Sequence, residues 1–317
     1  MEKSSSPSPD LTLRWRKPFP LPFLPVSQFL SPKNWSYYLF KLLQRGLELT
    51  PSHRERYIRW LGRVGYRLDR WRKPVVRKNL ELAFPELTPR ERERWVAEIY
   101  QNFARVVVDF GMTRGLKSGK ELEGWVQLVN FEPIFQELKK GPIIFVTAHF
   151  GNWELIPLGL GAFVTPITIV GRRLDSPLWD REIRRHREQF NVRQIYKEGA
   201  VGQLIRELRR GRSIGILPDQ NTAKREGVET RWFGKRVLQS PSPVLLGLKY
   251  RRPIALLFAE PAGPRQWQIV CRDLFYPVNL RQGVDRLARE MEQEIRLFPT
   301  YYYWLHKRFK HFYESEY

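Results

Sequence analysis

From about residue 116 onward, short apolar runs alternate with segments of helical periodicity, and this alternation restricts the fold more than any other feature of the chain. The apolar runs are Trp125–Val129, Ile143–Thr147, Ile167–Val170, Ser213–Leu217, Ile254–Phe258 and Trp267–Val270. Helical patterns cover Asn152–Leu160, Pro177–Gln189, Val201–Arg210, Pro243–Tyr250 and Val284–Leu297. Runs that are apolar at consecutive positions read as strands covered on both faces. Strands alternating with helices then predict an α/β fold: a mixed, largely parallel sheet flanked by helices on both faces, with a helical region before it. At 317 residues the chain can bury a sizeable core without a covalent or metal staple. Its single cysteine, Cys271, excludes an internal disulfide framework and a Cys-based zinc site, and reads as a small core residue.

The sequence before this pattern divides in two. Residues 1–30 are expected to be a disordered, Pro-rich tail: a Ser/Pro stretch, a basic step at Arg14, Arg16 and Lys17, then an apolar segment broken by Pro18, Pro20, Pro22 and Pro25. No small-residue cleavage site follows, so a secretory signal is a poor reading. Residues 31–115 are expected to form a helical N-terminal region, and residues 116–317 the α/β core. Within the helical region, Trp35–Leu49 carries Leu39, Phe40, Leu42, Leu43 and Leu47 at helical spacing beside Trp35, Tyr37 and Tyr38. Such a helix either lies in a bilayer interface or packs on the domain. Thr50-Pro51 and Thr88-Pro89 with Glu91 supply further helix starts, the second as a capping box. No stretch reaches the roughly 18 apolar residues of a membrane-spanning helix.

Charge narrows the partners. Lys and Arg exceed Asp and Glu by +22, a balance that attracts polyanions: anionic membrane, phosphorylated substrate, an acidic carrier protein or nucleic acid. The last is a competing class, yet no RNP, zinc-finger or helix-turn-helix signature accompanies the charge, and no nucleic-acid partner is expected.

The stretch richest in chemistry is Pro142-Ile-Ile-Phe-Val-Thr-Ala-His149-Phe-Gly151-Asn152-Trp-Glu154. A buried strand runs into a Gly-containing turn and a helix, with His149 at the carboxyl end, the edge where open α/β sheets bind ligands. Glu154, five residues on, is expected to fold back on the imidazole and fix its tautomer, leaving the other ring nitrogen as a base. Gly151 and Asn152, at the helix entry, are expected to offer backbone N–H groups to a developing oxyanion; Asn152 reads equally well as a helix-entry residue. An arbitrary His/Glu pair is more often structural, and it is the strand–His–Gly–helix context that singles this one out.

His149-Phe-Gly-Asn-Trp-Glu154 is the HX4D/E signature in the form found in the lysophospholipid acyltransferase superfamily, and it most resembles the lipid A biosynthesis branch of that superfamily. Four further blocks, in the expected order, carry the same resemblance: Arg77-Lys-Asn79-Leu with Phe84-Pro-Glu86, Gly171-Arg172-Arg173-Leu-Asp-Ser-Pro177, Leu217-Pro-Asp219-Gln-Asn221 with Trp232-Phe-Gly234, and Trp304-Leu-His306-Lys-Arg-Phe-Lys310. The Leu217-Pro-Asp-Gln-Asn221 block differs from the Phe-Pro-Glu-Gly-Thr of the glycerolipid branch, and the Pro-rich segment and the amphipathic Trp35–Leu49 helix stand where the lipid A branch carries a membrane helix.

The resemblance implies a glycerol-3-phosphate acyltransferase-like fold and O-acyl transfer. The donor would be an acyl thioester, on acyl carrier protein or coenzyme A, with no further cofactor and no metal. The acceptor would be a phosphorylated glycolipid or lysolipid at the cytoplasmic face of the inner membrane, with the enzyme attached peripherally or shallowly inserted. His149 would be the general base and Glu154 its partner. Arg172 and Arg173 would bind acceptor phosphates, the alternative being a solvated basic pair. Asp219 would position acceptor hydroxyls or hold an arginine, or merely form the turn after Pro218. A hydrolase is the remaining class. Gly211-Arg-Ser213-Ile-Gly215 matches the nucleophile-elbow spacing, but its helix precedes the serine and its strand follows, the reverse of that motif, so Ser213 reads as a strand-entry residue.

Overall fold

The computed structural model of the chain describes residues 34–317, and the expected tail of residues 1–30 lies outside them. Four helices come first: α1 (Trp35–Leu49), α2 (Arg54–Leu68), α3 (Arg72–Ala83) and α4 (Pro89–Thr113). The capping box at α4 forms, with the Thr88 hydroxyl accepting from the Glu91 N–H at 3.3 Å and the Glu91 carboxylate accepting from the Thr88 N–H at 2.9 Å. Phe40, Gln44 and Leu47 are the buried residues of α1, and Leu47 packs with Ile58 of α2 and Val108 of α4 in a small cluster of its own.

The remaining elements, in chain order, are α5 (Gly119–Glu123), β1 (Val126–Val129), α6 (Glu132–Leu138), β2 (Ile144–Val146), α7 (Leu155–Phe163), β3 (Ile167–Gly171), α8 (Pro177–Arg187), β4 (Val192–Tyr196), α9 (Ala200–Arg209), β5 (Ser213–Ile216), β6 (Val228–Trp232), β7 (Lys235–Gln239), α10 (Ser242–Tyr250), β8 (Ile254–Pro261), β9 (Trp267–Phe275) and α11 (Leu280–Leu297). Seven strands form one sheet in the order β1-β9-β8-β2-β5-β3-β4. The five from β8 to β4 are parallel, β9 runs antiparallel to β8, and β1 follows the direction of β9. The expected α/β architecture is therefore present, with a largely parallel sheet and a helical N-terminal region.

The consecutive apolar positions of the strands have a direct cause. Ile144, Val146, Ile214, Leu256 and Phe258 pack into a core shared with α9, α10, α11 and the helices α3 and α4. Their neighbours Phe145, Ala255, Leu257, Ile167 and Ile169 pack on the other face, against α7. Both faces are covered, so apolar residues take most positions on each.

Three strands do not show as apolar runs in the sequence. β4 is an edge strand that carries Arg193. β6 and β7 form a separate two-stranded hairpin whose polar alternation (Glu229 and Arg231 exposed, Thr230 and Trp232 buried) marks one wet face. Its two-residue turn, Phe233-Gly234, has positive φ at both positions (51° and 73°), which suits the twist of a tight hairpin.

Candidate active site

Because β2 and β5 are parallel neighbours in register (Val146 opposite Ile216), the residues three positions beyond each pair come together at the carboxyl edge. Those residues are His149 and Asp219. His149 Nδ1 lies 2.9 and 3.1 Å from the two carboxylate oxygens of Asp219, and the His149 backbone N–H donates to the same carboxylate at 3.0 Å. Asp219 is fully buried. Burial alone would raise its carboxyl, but the charge and hydrogen bonds of His149 outweigh this and hold it below the usual carboxylate range. An ionised carboxylate only accepts, so Nδ1 carries a proton, and in the neutral ring the lone pair is the one on Nε2. That lone pair faces the Gln220 side-chain nitrogen at 3.4 Å.

Glu154 does not take the place expected for it. Its carboxylate is held by Arg187 of α8, with Nε at 2.8 Å and Nη2 at 2.6 Å, and by the Trp153 indole at 3.2 Å. Burial opposes the ionised form, yet Arg187 prevails and keeps the Glu154 carboxyl at about 2. The carboxylate on the imidazole is instead that of Asp219, which was expected to face a substrate hydroxyl or an arginine, or only to form the turn after Pro218. The Gly151 N–H donates to the Tyr301 carbonyl at 3.0 Å and is thus spoken for. Gly151 has φ of 56°, and a Cβ there would stand 1.7 Å from the Ala259 carbonyl oxygen, so only glycine allows the turn to press against β8. Asn152 is buried and donates to Asp109 at 3.1 Å; it ties the turn to α4 and does not line the cavity.

His149 opens into a cavity of about 800 Å³. At this strand edge, the cavity's mouth, the lining includes Trp153, Glu154, Arg172, Arg187 and Gln220; Arg187 also donates to the buried Gln194 at 3.1 Å, and the lining as a whole is mostly apolar. Of the expected arginine pair, only Arg172 lines this space. Arg173 points elsewhere, stacked 4.3 Å over Tyr196 beside a second depression with Arg184 and Arg193. Ser213 is buried, with its hydroxyl accepting from the Ile143 N–H at 3.1 Å near the opposite, amino edge. Among the described residues, no group of three or more His, Cys, Asp or Glu side chains is placed to hold a metal ion.

Widely separated segments brace this edge. The buried Asn79 side chain donates to the Trp304 and His306 carbonyls at 2.7 and 2.8 Å. His306 Nε2 accepts the Asn221 N–H at 3.0 Å, two residues after Asp219. The Arg308 guanidinium lies 4.4 Å over the Trp232 ring and donates to the Leu238 carbonyl at 2.6 Å. The five sequence blocks thus meet around one strand edge. Residues 26–311 match the family model of the bacterial lipid A biosynthesis acyltransferases.

The chain belongs to that family. It is 25% identical to a lipid A biosynthesis acyltransferase of Haemophilus influenzae, over 89% of this chain and 92% of that one. It is 24% identical to the lipid A biosynthesis lauroyltransferase of Escherichia coli over 79% and 83% of the two chains, and 22% identical to the palmitoleoyltransferase of the same organism over 75% and 79%. In this member of the acyltransferase family, sequence reasoning missed Arg187 and Gln220 as site residues. Arg187 is one of four basic residues in the last turn of α8, indistinguishable there from a solvated run. Gln220 follows Asp219 in its block, and only the adjacency of β2 and β5 aims it at the imidazole.

Proposed function

We propose that the protein transfers a fatty acyl chain from an acyl thioester to a hydroxyl of a lipid A-type glycolipid, with His149 as general base and Asp219 as the group that orients it. The observation carrying this reading is the His149–Asp219 pair at the mouth of an apolar cavity. The acceptor hydroxyl takes the place of the Gln220 amide at Nε2. As its oxygen attacks the thioester carbon, its proton passes to Nε2, and Asp219 stabilises the imidazolium. The tetrahedral intermediate collapses with cleavage of the C–S bond, and the departing thiolate takes the proton back. General-base assistance of this kind is worth on the order of 10²–10⁴-fold. Glu154 serves by fixing Arg187, whose guanidinium, with Arg172 and Gln220, supplies donors at the mouth for the oxyanion and for acceptor phosphates.

The donor on this reading is acyl carrier protein or coenzyme A, and the site of action is the cytoplasmic face of the inner membrane. No helix among the described residues is long and apolar enough to cross a membrane. Peripheral attachment would fall to α1 and α2, which expose Trp35, Leu39, Leu42, Trp60 and Leu68. Asn34 and Ser36, where α1 begins, bond Ser176 and Trp179 at the start of α8, whose Asp180 and Ile183 line the cavity. An apolar surface there would bring the mouth to the lipid. The deciding test is transfer from a radiolabelled acyl thioester to a lipid A precursor. His149→Ala is expected to lose at least 100-fold in kcat, and undiminished transfer would refute the mechanism.

A further inference from the structure

Beyond its charged mouth, one part of the cavity runs inward as a slot between α7 and the sheet, while Ala200, Val201 and Leu204 of α9 and Leu245 of α10 line another part. One row of the sheet forms its wall: Phe145 of β2, Gly215 of β5 and Ile169 of β3 are partners in register on the same face. Ile167 continues the wall to the first residue of β3, and Ile156 and Leu160 of α7 stand opposite. The four strand steps from Gly171 back to Ile167 span roughly 13 Å at about 3.3 Å per residue. These side chains are buried and apolar, and the row ends on Gln194 of β4, opposite Ile169 and also in the lining, whose amide oxygen accepts from Arg187 Nη1 at 3.1 Å.

A glycine in the middle of a central strand needs a reason, since it weakens the strand and leaves no side chain to pack. Gly215 does not have the positive φ that would require glycine. A Cβ built on it would meet only side-chain tips, Ile169 Cγ2 at 3.0 Å and Ile167 Cδ1 at 3.2 Å, and no backbone. The room a side chain would need at 215 is taken by the two isoleucines, which lie against the glycine, so a side chain there would push their tips into the slot.

Resting on the acyl-transfer reading above, we infer that Gly215 sets how long an acyl chain the enzyme accepts, with Ile167 and Ile169 as the adjoining limit. A chain entering past His149 slides between α7 and the Phe145–Gly215–Ile169 row, and any side chain at 215 would stop it short.

The test is a series of saturated acyl thioesters lengthened by two carbons at a time, assayed with the full chain. In parallel, free fatty acids of the same lengths are scored by the rise in Tm they cause, a readout that does not need transfer. Gly215→Ala and Gly215→Val are expected to move the preferred length to shorter chains, valine further than alanine, and Ile169→Ala to longer ones. The kcat/KM ratio between neighbouring lengths should change about tenfold, as expected for two methylenes gained or lost from an apolar slot. Length profiles that stay unchanged in both series overturn the role of Gly215. If Gly215→Val does not fold, Gly215→Ala and Ile169→Ala decide alone, and an unmoved profile in both is equally fatal. If the fatty-acid profile moves as expected while no thioester supports transfer, Gly215 keeps its role and the acyl-transfer reading fails.

Discussion

The two carboxylates of this site, Asp219 and Glu154, have different partners. Asp219 bonds both the ring and the backbone of His149, whereas Glu154 bonds Arg187; on the function proposed above the first would set the tautomer and the second would hold the guanidinium. The two can be separated by substituting each with its amide. Asp219→Asn keeps the shape but replaces a permanent acceptor with a group that can also donate, which loosens the tautomer and removes the imidazolium's counter-charge. Its kcat should fall by about 10²–10⁴-fold, and His149→Ala combined with it should be little worse than His149→Ala alone, as for residues acting as a unit. Glu154→Gln instead leaves the largely buried Arg187 without its partner, and should cost about 3 kcal/mol in a urea unfolding experiment. An Asp219→Asn enzyme of near-normal kcat would remove Asp219 from the mechanism. The sequence placed His149 at a strand's carboxyl end because the local pattern of strand, glycine and helix is contiguous. The partner of the imidazole was not readable, because a carboxylate 70 residues away is brought near only by strand order.

At the level of elements, what was legible followed burial. Strands covered on both faces stand out as apolar runs, and α4 announced itself through its capping box. β4, β6 and β7 each have a wet side or an edge, and α3 begins in a run of arginines and lysines, so none carries a comparable signal. The join between α4 and α8 holds a further consequence. The buried His186 stacks on Phe110 at 4.1 Å and lies 2.9 Å from the Thr113 hydroxyl, whose own proton goes to the Asp109 carbonyl at 2.8 Å. His186 Nε2 therefore donates, and the ring is neutral: burial pushes it down to about 4 from 6.5. Between those values the unfolded chain binds the extra proton, so stability is whole above about pH 6.5 and is lost as pH falls toward 4. The loss attributable to this one ring is on the order of 3 kcal/mol. His186→Gln, which retains an N–H for Thr113, should show a shallower decline of its urea midpoint across that window than the parent. Equal slopes would mean that other groups carry the acid sensitivity.

For the molecule as a whole, the function proposed above requires that a chain with net charge +22 and no membrane-crossing helix among its described residues reach an acceptor embedded in lipid. Charge alone would hold it in the diffuse layer above an anionic surface, where ions screen the attraction over about 10 Å. The outward face of α1 supplies the second component. Trp35, Leu39 and Leu42 are 68%, 65% and 70% exposed at successive helical turns, while Phe40 and Leu47 anchor the opposite side to the protein. Large apolar groups this exposed and this aligned are unusual on a surface that meets only water. An amphipathic helix of this kind seats its apolar face at the boundary of headgroup and acyl chains, and nearby cations add to the binding. Binding to vesicles containing anionic lipid should therefore weaken with salt but retain a salt-resistant remainder. Replacing Trp35, Leu39 and Leu42 together by serine should abolish that remainder and lower total affinity by about 100-fold or more, from about 1.5–3 kcal/mol per side chain discounted for incomplete insertion. Because none of the three lines the cavity, transfer to a detergent-dispersed acceptor should survive while transfer to a vesicle-borne one falls. If the triple variant binds vesicles as tightly as the parent at high salt, the docking face lies elsewhere on the molecule.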